Sequence, residues 1–175
     1  MKVLVTGGAR SGKSTHAEQL VAMHARVTYV ATGTPPDGAD PDWQARVAAH
    51  QARRPDHWTT LETRDLALAV TESPGAVLLD SLGSWLTALV DDVQGWERPR
   101  DEVASSLEHR CAAFVEALED TDGEFVVVTE EVGLGIIPET ASGRLFRDLL
   151  GTLNQRVAAV CDEVHLVVAG RVLTL

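Results

Sequence analysis

The sequence predicts an α/β fold in three layers: a mostly parallel sheet between two layers of helices, with an antiparallel hairpin at its C-terminal edge. Three observations predict it. Short β-rich apolar runs alternate with helical stretches, and such alternation implies parallel strands covered on both faces. The first apolar run, Val3-Leu4-Val5, leads directly into a glycine-rich turn, Gly7-Gly8-Ala9-Arg10-Ser11-Gly12-Lys13-Ser14, and then a helical run. The last two apolar runs flank Gly170-Arg171, a turn-like pair that suits a hairpin. With 175 residues the chain can build one sizeable core but is marginal for two, so one domain over 1–175 is expected.

The elements are expected in the following order. Val3–Thr6 is the first strand. A helix follows over 14–25, because Ala17, Leu20, Val21 and His24 recur at helical spacing. Val27–Ala31 is the second strand, and Thr32–Pro41, rich in Gly, Pro and Asp, reads as a loop. A helix over 43–53 leads to a short strand at Trp58–Glu62, and Ala76–Asp80 is an apolar strand followed by a helix over 82–92. Gln94–Arg100 is a loop, 101–119 a helix and Glu124–Thr129 a strand rich in β-branched residues. A helix over 141–160 precedes the strands Val164–Ala169 and Val172–Leu175. No internal repeat, low-complexity tract or interdomain linker interrupts this order.

The bulk composition narrows the function classes. The chain is 45% hydrophobic and 23% charged, an ordinary globular balance, with a net charge of −11. That charge argues against nucleic acid as the main partner, since a phosphate backbone needs a basic footprint. It does not argue against a nucleotide, whose phosphates are neutralised locally. Cys111 and Cys161 have neither CxxC nor metal-ligand spacing and read as small buried hydrophobes in a reducing compartment. The chain opens on a core strand, so no signal peptide is expected, and no apolar run approaches membrane-spanning length. A cytoplasmic location is the resulting expectation.

The glycine-rich turn carries the chemistry. Residues 7–14 read G-x-x-x-x-G-K-S between a strand and a helix, the arrangement that holds a nucleoside triphosphate and makes the fold phosphate-loop NTPase-like. The glycines let the loop curl so that its N–H groups point at phosphate oxygens, and the helix adds its positive N-terminal end. Lys13 is expected to reach the β- and γ-phosphates, and the Ser14 hydroxyl to ligate Mg²⁺. In parallel sheets ligands collect beyond the carboxyl ends of the strands. Ala31-Thr32-Gly33, Asp80-Ser81 and the run from Glu130 to Glu139 occupy those positions. Asp80 suits the carboxylate that holds Mg²⁺; it also suits an N-cap for the next helix. Glu130 reads as part of a solvated acidic turn, the alternatives being assistance to Mg²⁺ or a base. His50 shares a helix face with Arg46, and Arg53 lies on or near it. From spacing alone a surface histidine is the plain reading. A histidine beside guanidinium groups also suits phosphate chemistry as a nucleophile.

Several blocks in order resemble the bifunctional adenosylcobinamide kinase / adenosylcobinamide-phosphate guanylyltransferase family of cobalamin biosynthesis. They are Thr6 to Ser14 with Ala17-Glu18, then Tyr29-Val30-Ala31-Thr32. Arg46-x-x-x-His50 leads to Arg54-Pro55-x-x-Trp58-x-Thr60-x-Glu62. Leu78-Leu79-Asp80-Ser81-Leu82 with Trp85-Leu86 follows, then Glu131 to Glu139, and finally Arg144-x-Phe146-Arg147-Asp148-x-x-Gly151-x-x-Asn154-Gln155. The blocks cover nearly the whole chain.

The resemblance implies two reactions. A nucleoside triphosphate, ATP or GTP, phosphorylates the hydroxyl on the aminopropanol arm of adenosylcobinamide. GTP then gives GMP to the new phosphate through a guanylylated histidine and releases pyrophosphate. His50 matches that histidine; some relatives have two adjacent histidines where this chain has Ala49-His50. Thr32, Glu62 and Asp80 match positions around the guanine nucleotide, and Ala31, Gly33, Gln51, Ala52, Arg53 and Arg54 are carried with them as nucleotide-binding positions. The resemblance also implies a homotrimer. The chain departs from the family at Glu130, where Asn is usual, at Asp42-Trp43, where an acidic-Met pair is usual, and at Ser81, where Cys is usual. Two other classes share the phosphate loop: a monofunctional small-molecule kinase, which needs no His50, and a non-catalytic nucleotide-binding module. A regulatory GTPase would need N-K-x-D, which the chain lacks.

Overall fold

The computed structural model of the protein describes residues 1–33 and 41–175, apart from the side chains of Asp42, Trp43, Arg46 and His50. The strands are β1 (Lys2–Gly7), β2 (Val27–Ala31), β3 (Thr59–Glu62), β4 (Ala76–Asp80), β5 (Phe125–Glu130), β6 (Glu163–Val168) and β7 (Arg171–Thr174). The helices are α1 (Lys13–Val21), α2 (Pro41–Arg53), α3 (Leu66–Glu72), α4 (Leu82–Asp92), α5 (Arg100–Asp120) and α6 (Ala141–Ala159). One sheet takes the strand order β3-β2-β4-β5-β1-β6-β7, parallel throughout except for the antiparallel β6–β7 pair. Among the described residues no helix is long and apolar enough to cross a membrane.

Alternation along each strand splits the core into two layers. Val3 and Val5 face one side and pack with Ala17 and Val21 of α1, Tyr29, Leu78, Val126 and Val128. Leu4, Val30, Val77, Leu79 and Val127 face the other side and pack with α3, α4, α5 and α6. A period of two in the strands meets a period of 3.6 in the helices, which is what buries both faces of a parallel sheet. The second layer centres on Trp85 and Phe114, 1% and 0% exposed, whose rings meet edge-to-face at 5.5 Å. Phe114→Ala is expected to destabilise the protein by about 3–5 kcal/mol, since the ring is fully enclosed and its space cannot collapse. Denaturant unfolding with the slope compared to the unchanged protein measures this.

The structure differs from the sequence expectation in a few places, each with a physical reason. Helix α3 was not expected. Its Asp65 N-cap accepts the Leu68 N–H at 3.0 Å, and it buries Leu66, Ala69 and Val70. Seven residues make barely two turns, too few for the 3.6 period to stand out. Helix α1 ends at Val21 rather than residue 25. The hairpin turn is Ala169-Gly170 rather than Gly170-Arg171, with φ of 49° and 75° at the two positions. Two successive positive φ values are what a two-residue turn needs to match the twist of its strands. Most of the expected Thr32–Pro41 loop falls on residues 34–40, outside the described residues.

Register positions the site. Ala31 lies opposite both Glu62 and Asp80, and Gly7 lies opposite Glu130. The carboxyl ends of β3, β2, β4, β5 and β1 therefore form one edge, carrying three singled-out carboxylates, Glu62, Asp80 and Glu130, and the phosphate loop.

Candidate active site

The loop after β1 is built for close approach of backbone. A Cβ at Gly7 would stand 2.5 Å from the Val167 carbonyl oxygen and 2.6 Å from Ser11 Oγ. Gly12 sits at φ 97° as the residue before α1, where an L side chain is strained. The Ser11 N–H donates to the Gly8 carbonyl at 3.3 Å, and the Gly170 N–H donates to the Ser11 carbonyl at 2.8 Å. The β6–β7 turn thus braces the loop from behind. Lys13 opens α1, and its ammonium lies 3.4 Å from the Gly8 carbonyl oxygen and 3.9 Å from Glu130 Oε1.

Above the carboxyl edge lies a cavity of about 930 Å³. Ala9, Arg10, Ser11, Gly12, Lys13 and Ser14 line its phosphate-loop side. Ala31, Thr32, Gly33, Glu62 and Asp80 line the strand ends. Gln51 and Arg53 line it from α2, with Ala45, Val47 and Ala49 of the same helix, and Arg54 follows them. One space therefore joins the phosphate loop to the helix that contains position 50. Of the nucleotide positions expected from sequence, Gly7, Gly8 and Ala52 are not among the lining residues: Gly7 is buried in the strand end, while Gly8 and Ala52 are exposed. The side chain of His50 lies outside the described residues, as does that of Arg46.

Asp80 is not the cap of α4. Ser81 is, accepting the Ser84 N–H on its hydroxyl at 3.2 Å. Asp80 instead accepts the Tyr29 hydroxyl at 2.7 Å and faces the cavity. Burial, and next the Asp80 charge, push the Tyr29 phenol well above its ordinary pKa, so it stays a donor. The Arg54 guanidinium carbon lies 3.5 Å from the Tyr29 ring centroid, a cation–π stack. Its Nη1 donates to Thr60 Oγ1 at 3.2 Å, and its Nε is buried without a partner among the described residues. Thr32 is fully buried, and its hydroxyl donates to the Ser81 carbonyl at 2.7 Å, tying the end of β2 to that of β4.

Glu130 is not part of a solvated turn. It is the last residue of β5, half-buried, and its Oε2 accepts the Gly83 N–H at 3.1 Å. Burial raises its carboxyl above the ordinary value and the Asp80 charge adds to the rise; Lys13, the Ser81 hydroxyl and the Gly83 N–H act in the opposite direction. The strand ran one residue further than its sequence suggested, which turned this side chain inward over Lys13.

Sequence reasoning gave no role to Tyr29, Glu18, Arg144 or Arg147. Arg147 donates to the carbonyls of Gly133, Gly135 and Ile136, and Arg144 to those of Pro138 and Glu139, holding the segment after β5 by its backbone. Such contacts leave no periodic trace, because the partners are backbone oxygens.

The chain is similar to known proteins over nearly its whole length. The family described as cobinamide kinase / cobinamide phosphate guanyltransferase matches residues 3–175. The bifunctional adenosylcobalamin biosynthesis protein CobU of Escherichia coli (strain K12) is 38% identical over 178 residues, covering 97% of each chain. CobP of Pseudomonas aeruginosa, with the same bifunctional description, is 39% identical over 178 residues, covering 97% of this chain and 94% of the relative. Among solved structures, an ATPase of the type III secretion system of pathogenic bacteria superposes with a TM-score of 0.54 at 15% identity. That match covers 94% of this chain and 50% of the ATPase chain, and it bears on the fold alone.

Proposed function

The chain belongs to the cobinamide kinase / cobinamide phosphate guanyltransferase family, and from that premise we propose how its own residues perform two reactions. In the first, the phosphate loop holds ATP or GTP and the γ-phosphoryl passes to the hydroxyl of adenosylcobinamide. In the second, His50 attacks the α-phosphorus of GTP and pyrophosphate leaves. The resulting P–N bond is then broken by the phosphate of adenosylcobinamide phosphate, giving adenosylcobinamide-GDP and free imidazole. A P–N bond to imidazole is labile, so the intermediate forms and discharges readily. The observation that carries this reading is the single cavity bordered by both the phosphate loop and α2.

Roles follow from position. The loop from Gly7 to Ser14 cradles phosphates with its N–H groups, and Lys13 neutralises the charge that builds on the transferred or leaving phosphate. Arg54 is anchored by its stack on Tyr29 and borders the cavity. Ala31, Thr32, Gly33, Gln51, Ala52, Arg53 and Glu62 complete the proposed nucleotide positions, Thr32 through its backbone since its hydroxyl is engaged. A hydroxyl and carboxylates are the donor chemistry of Mg²⁺, which keeps waters and phosphate oxygens rather than an all-protein cage. Ser14 and Asp80 would hold Mg²⁺, which supplies charge neutralisation at the phosphates. A cytoplasmic location and a homotrimer belong to the same proposal; the two free thiols, Cys111 and Cys161, suit a reducing compartment.

Incubation with GTP labelled at the α-phosphate tests the reading. Label retained on denatured protein supports it, and absence of label across several divalent metals favours a plain kinase. A second expected outcome concerns Asp80→Asn. Ser81 holds the α4 cap, and an amide oxygen still accepts from Tyr29, so the fold should persist. Turnover should fall by about 10- to 100-fold and require more Mg²⁺. An unchanged metal requirement would remove Asp80 from the metal role.

A further inference from the structure

Helix α2 has an unusual attachment to the rest of the molecule. Among its described side chains none is buried: Val47 is half-buried, and Gln44, Ala45, Ala48, Ala49, Gln51, Ala52 and Arg53 are exposed. Every other helix buries at least Ala17 and Val21 or their counterparts in the core. Most helical stability in proteins comes from packing an apolar face, and none of the described side chains of α2 is buried, so its described polar ties gain weight.

The described ties lie at its C-terminal end. Arg53 Nε donates to Glu18 Oε2 at 3.3 Å and Nη2 donates to Glu18 Oε1 at 3.1 Å, a fork on both carboxylate oxygens. Glu18 stands on α1, five positions after Lys13, and its side chain is only 15% exposed against 40% for Arg53. The fork therefore connects the phosphate-loop helix directly to the helix that carries position 50, one turn before Arg53. The next residue, Arg54, stacks on Tyr29 of β2. Two adjacent arginines thus pin one end of α2 to α1 and to the sheet.

We propose that Glu18 is a positioning residue: its ion pair with Arg53 holds the His50 helix in register with the phosphate loop for guanylyl transfer. The proposal rests on the reading of His50 as the GMP acceptor. Surface ion pairs are usually weak contributors to stability. Here the pair matters through geometry, because covalent transfer needs the nucleophile and the α-phosphorus brought close together, and small misplacements cost rate steeply. Transfer of the γ-phosphoryl to a hydroxyl uses no group on α2 as nucleophile, so the same displacement affects nucleotide binding in the kinase step but not its rate at saturating nucleotide.

The test uses the full-length protein with Glu18→Ala, which keeps a strong helix former in α1, and the exchanged pair Glu18→Arg with Arg53→Glu. Three quantities are measured: amide hydrogen exchange over residues 44–53, the rate of covalent GMP formation at saturating GTP, and the kinase rate. Glu18→Ala should speed exchange in α2 and slow covalent GMP formation by on the order of tenfold, while the kinase rate at saturating nucleotide stays within about twofold. The exchanged pair should recover exchange protection in α2; covalent GMP formation is not read in it, because Arg53 also lines the nucleotide cavity. Unchanged exchange in Glu18→Ala overturns the proposal, as does an equal fall in both reactions, or an exchanged pair that leaves α2 as unprotected as Glu18→Ala does. If the unaltered protein forms no covalent GMP, the His50 reading has failed. The exchange measurement then still decides whether Glu18 holds α2.

Discussion

Lys13→Ala is expected to abolish both reactions. The ammonium is held at the mouth of α1, 3.4 Å from the Gly8 carbonyl and 3.9 Å from Glu130, and its side chain is 13% exposed. It is thus aimed before any nucleotide arrives, and a preorganised charge costs little reorganisation when phosphate charge develops. Both reactions build negative charge on the phosphates this group faces: on the γ-phosphoryl in the kinase step, on departing pyrophosphate in guanylyl transfer. Removal of a single preorganised donor typically costs about 10²–10³-fold, and loss of a full charge at a triphosphate sits at or above that range. The change also leaves the half-buried Glu130 without its cationic neighbour, which will raise its carboxyl further, since Lys13 is the group that lowers it most. The fold should survive, because the side chain contributes no apolar packing to either core layer. Turnover with γ-labelled and α-labelled GTP, alongside a thermal unfolding curve, checks this. Normal turnover would remove the loop from the nucleotide site altogether.

His50→Ala is expected to separate the two reactions. Without imidazole there is no acceptor for GMP, so covalent label should vanish and guanylyl transfer should fall by at least about 10³-fold, as happens when a nucleophile is removed. The kinase step forms no covalent enzyme intermediate and should keep most of its rate, with a modest rise in KM where the helix borders the nucleotide. Position 50 lies in the interior of α2, and Ala is the best helix former, so the backbone is not disturbed. Assay of each half-reaction on the purified variant decides. Intact guanylyl transfer would assign the nucleophile elsewhere; joint loss of both would give His50 a role in nucleotide binding or folding.

Much of the site was legible because its chemistry is local. The phosphate loop is one contiguous run whose glycines, Lys13 and Ser14 have fixed offsets, and a strand before it and a helix after it are visible as apolar periodicity. Asp80 was legible as the polar end of an apolar strand. The readings that needed correction concern side chains whose role depends on a partner distant in sequence. Glu130 read as a solvated turn residue until β5 ran through it and set it opposite Gly7. Asp80 kept two readings until Ser81 took the cap and Tyr29, 51 positions away, supplied the hydrogen bond. Arg53, expected among the nucleotide positions, lines the cavity and also forks onto Glu18, 35 positions earlier, which the sequence did not suggest.

The sequence by itself determined the α/β class, the approximate limits of seven strands and the phosphate loop. These follow from patterns of period two and 3.6 and from residues at fixed short offsets, and such patterns do not depend on where the rest of the chain lies. Only the tertiary structure decided the strand order β3-β2-β4-β5-β1-β6-β7, which puts β5 between the Asp80 strand and the phosphate-loop strand. It also decided that α2 is joined to α1 by the Glu18–Arg53 fork and that Lys13 faces Glu130. These are pairings between groups remote in the chain. Hydrophobic burial chooses them by stacking whole faces, and the polar side chains at the strand ends meet whatever partners that stacking brings to the same edge.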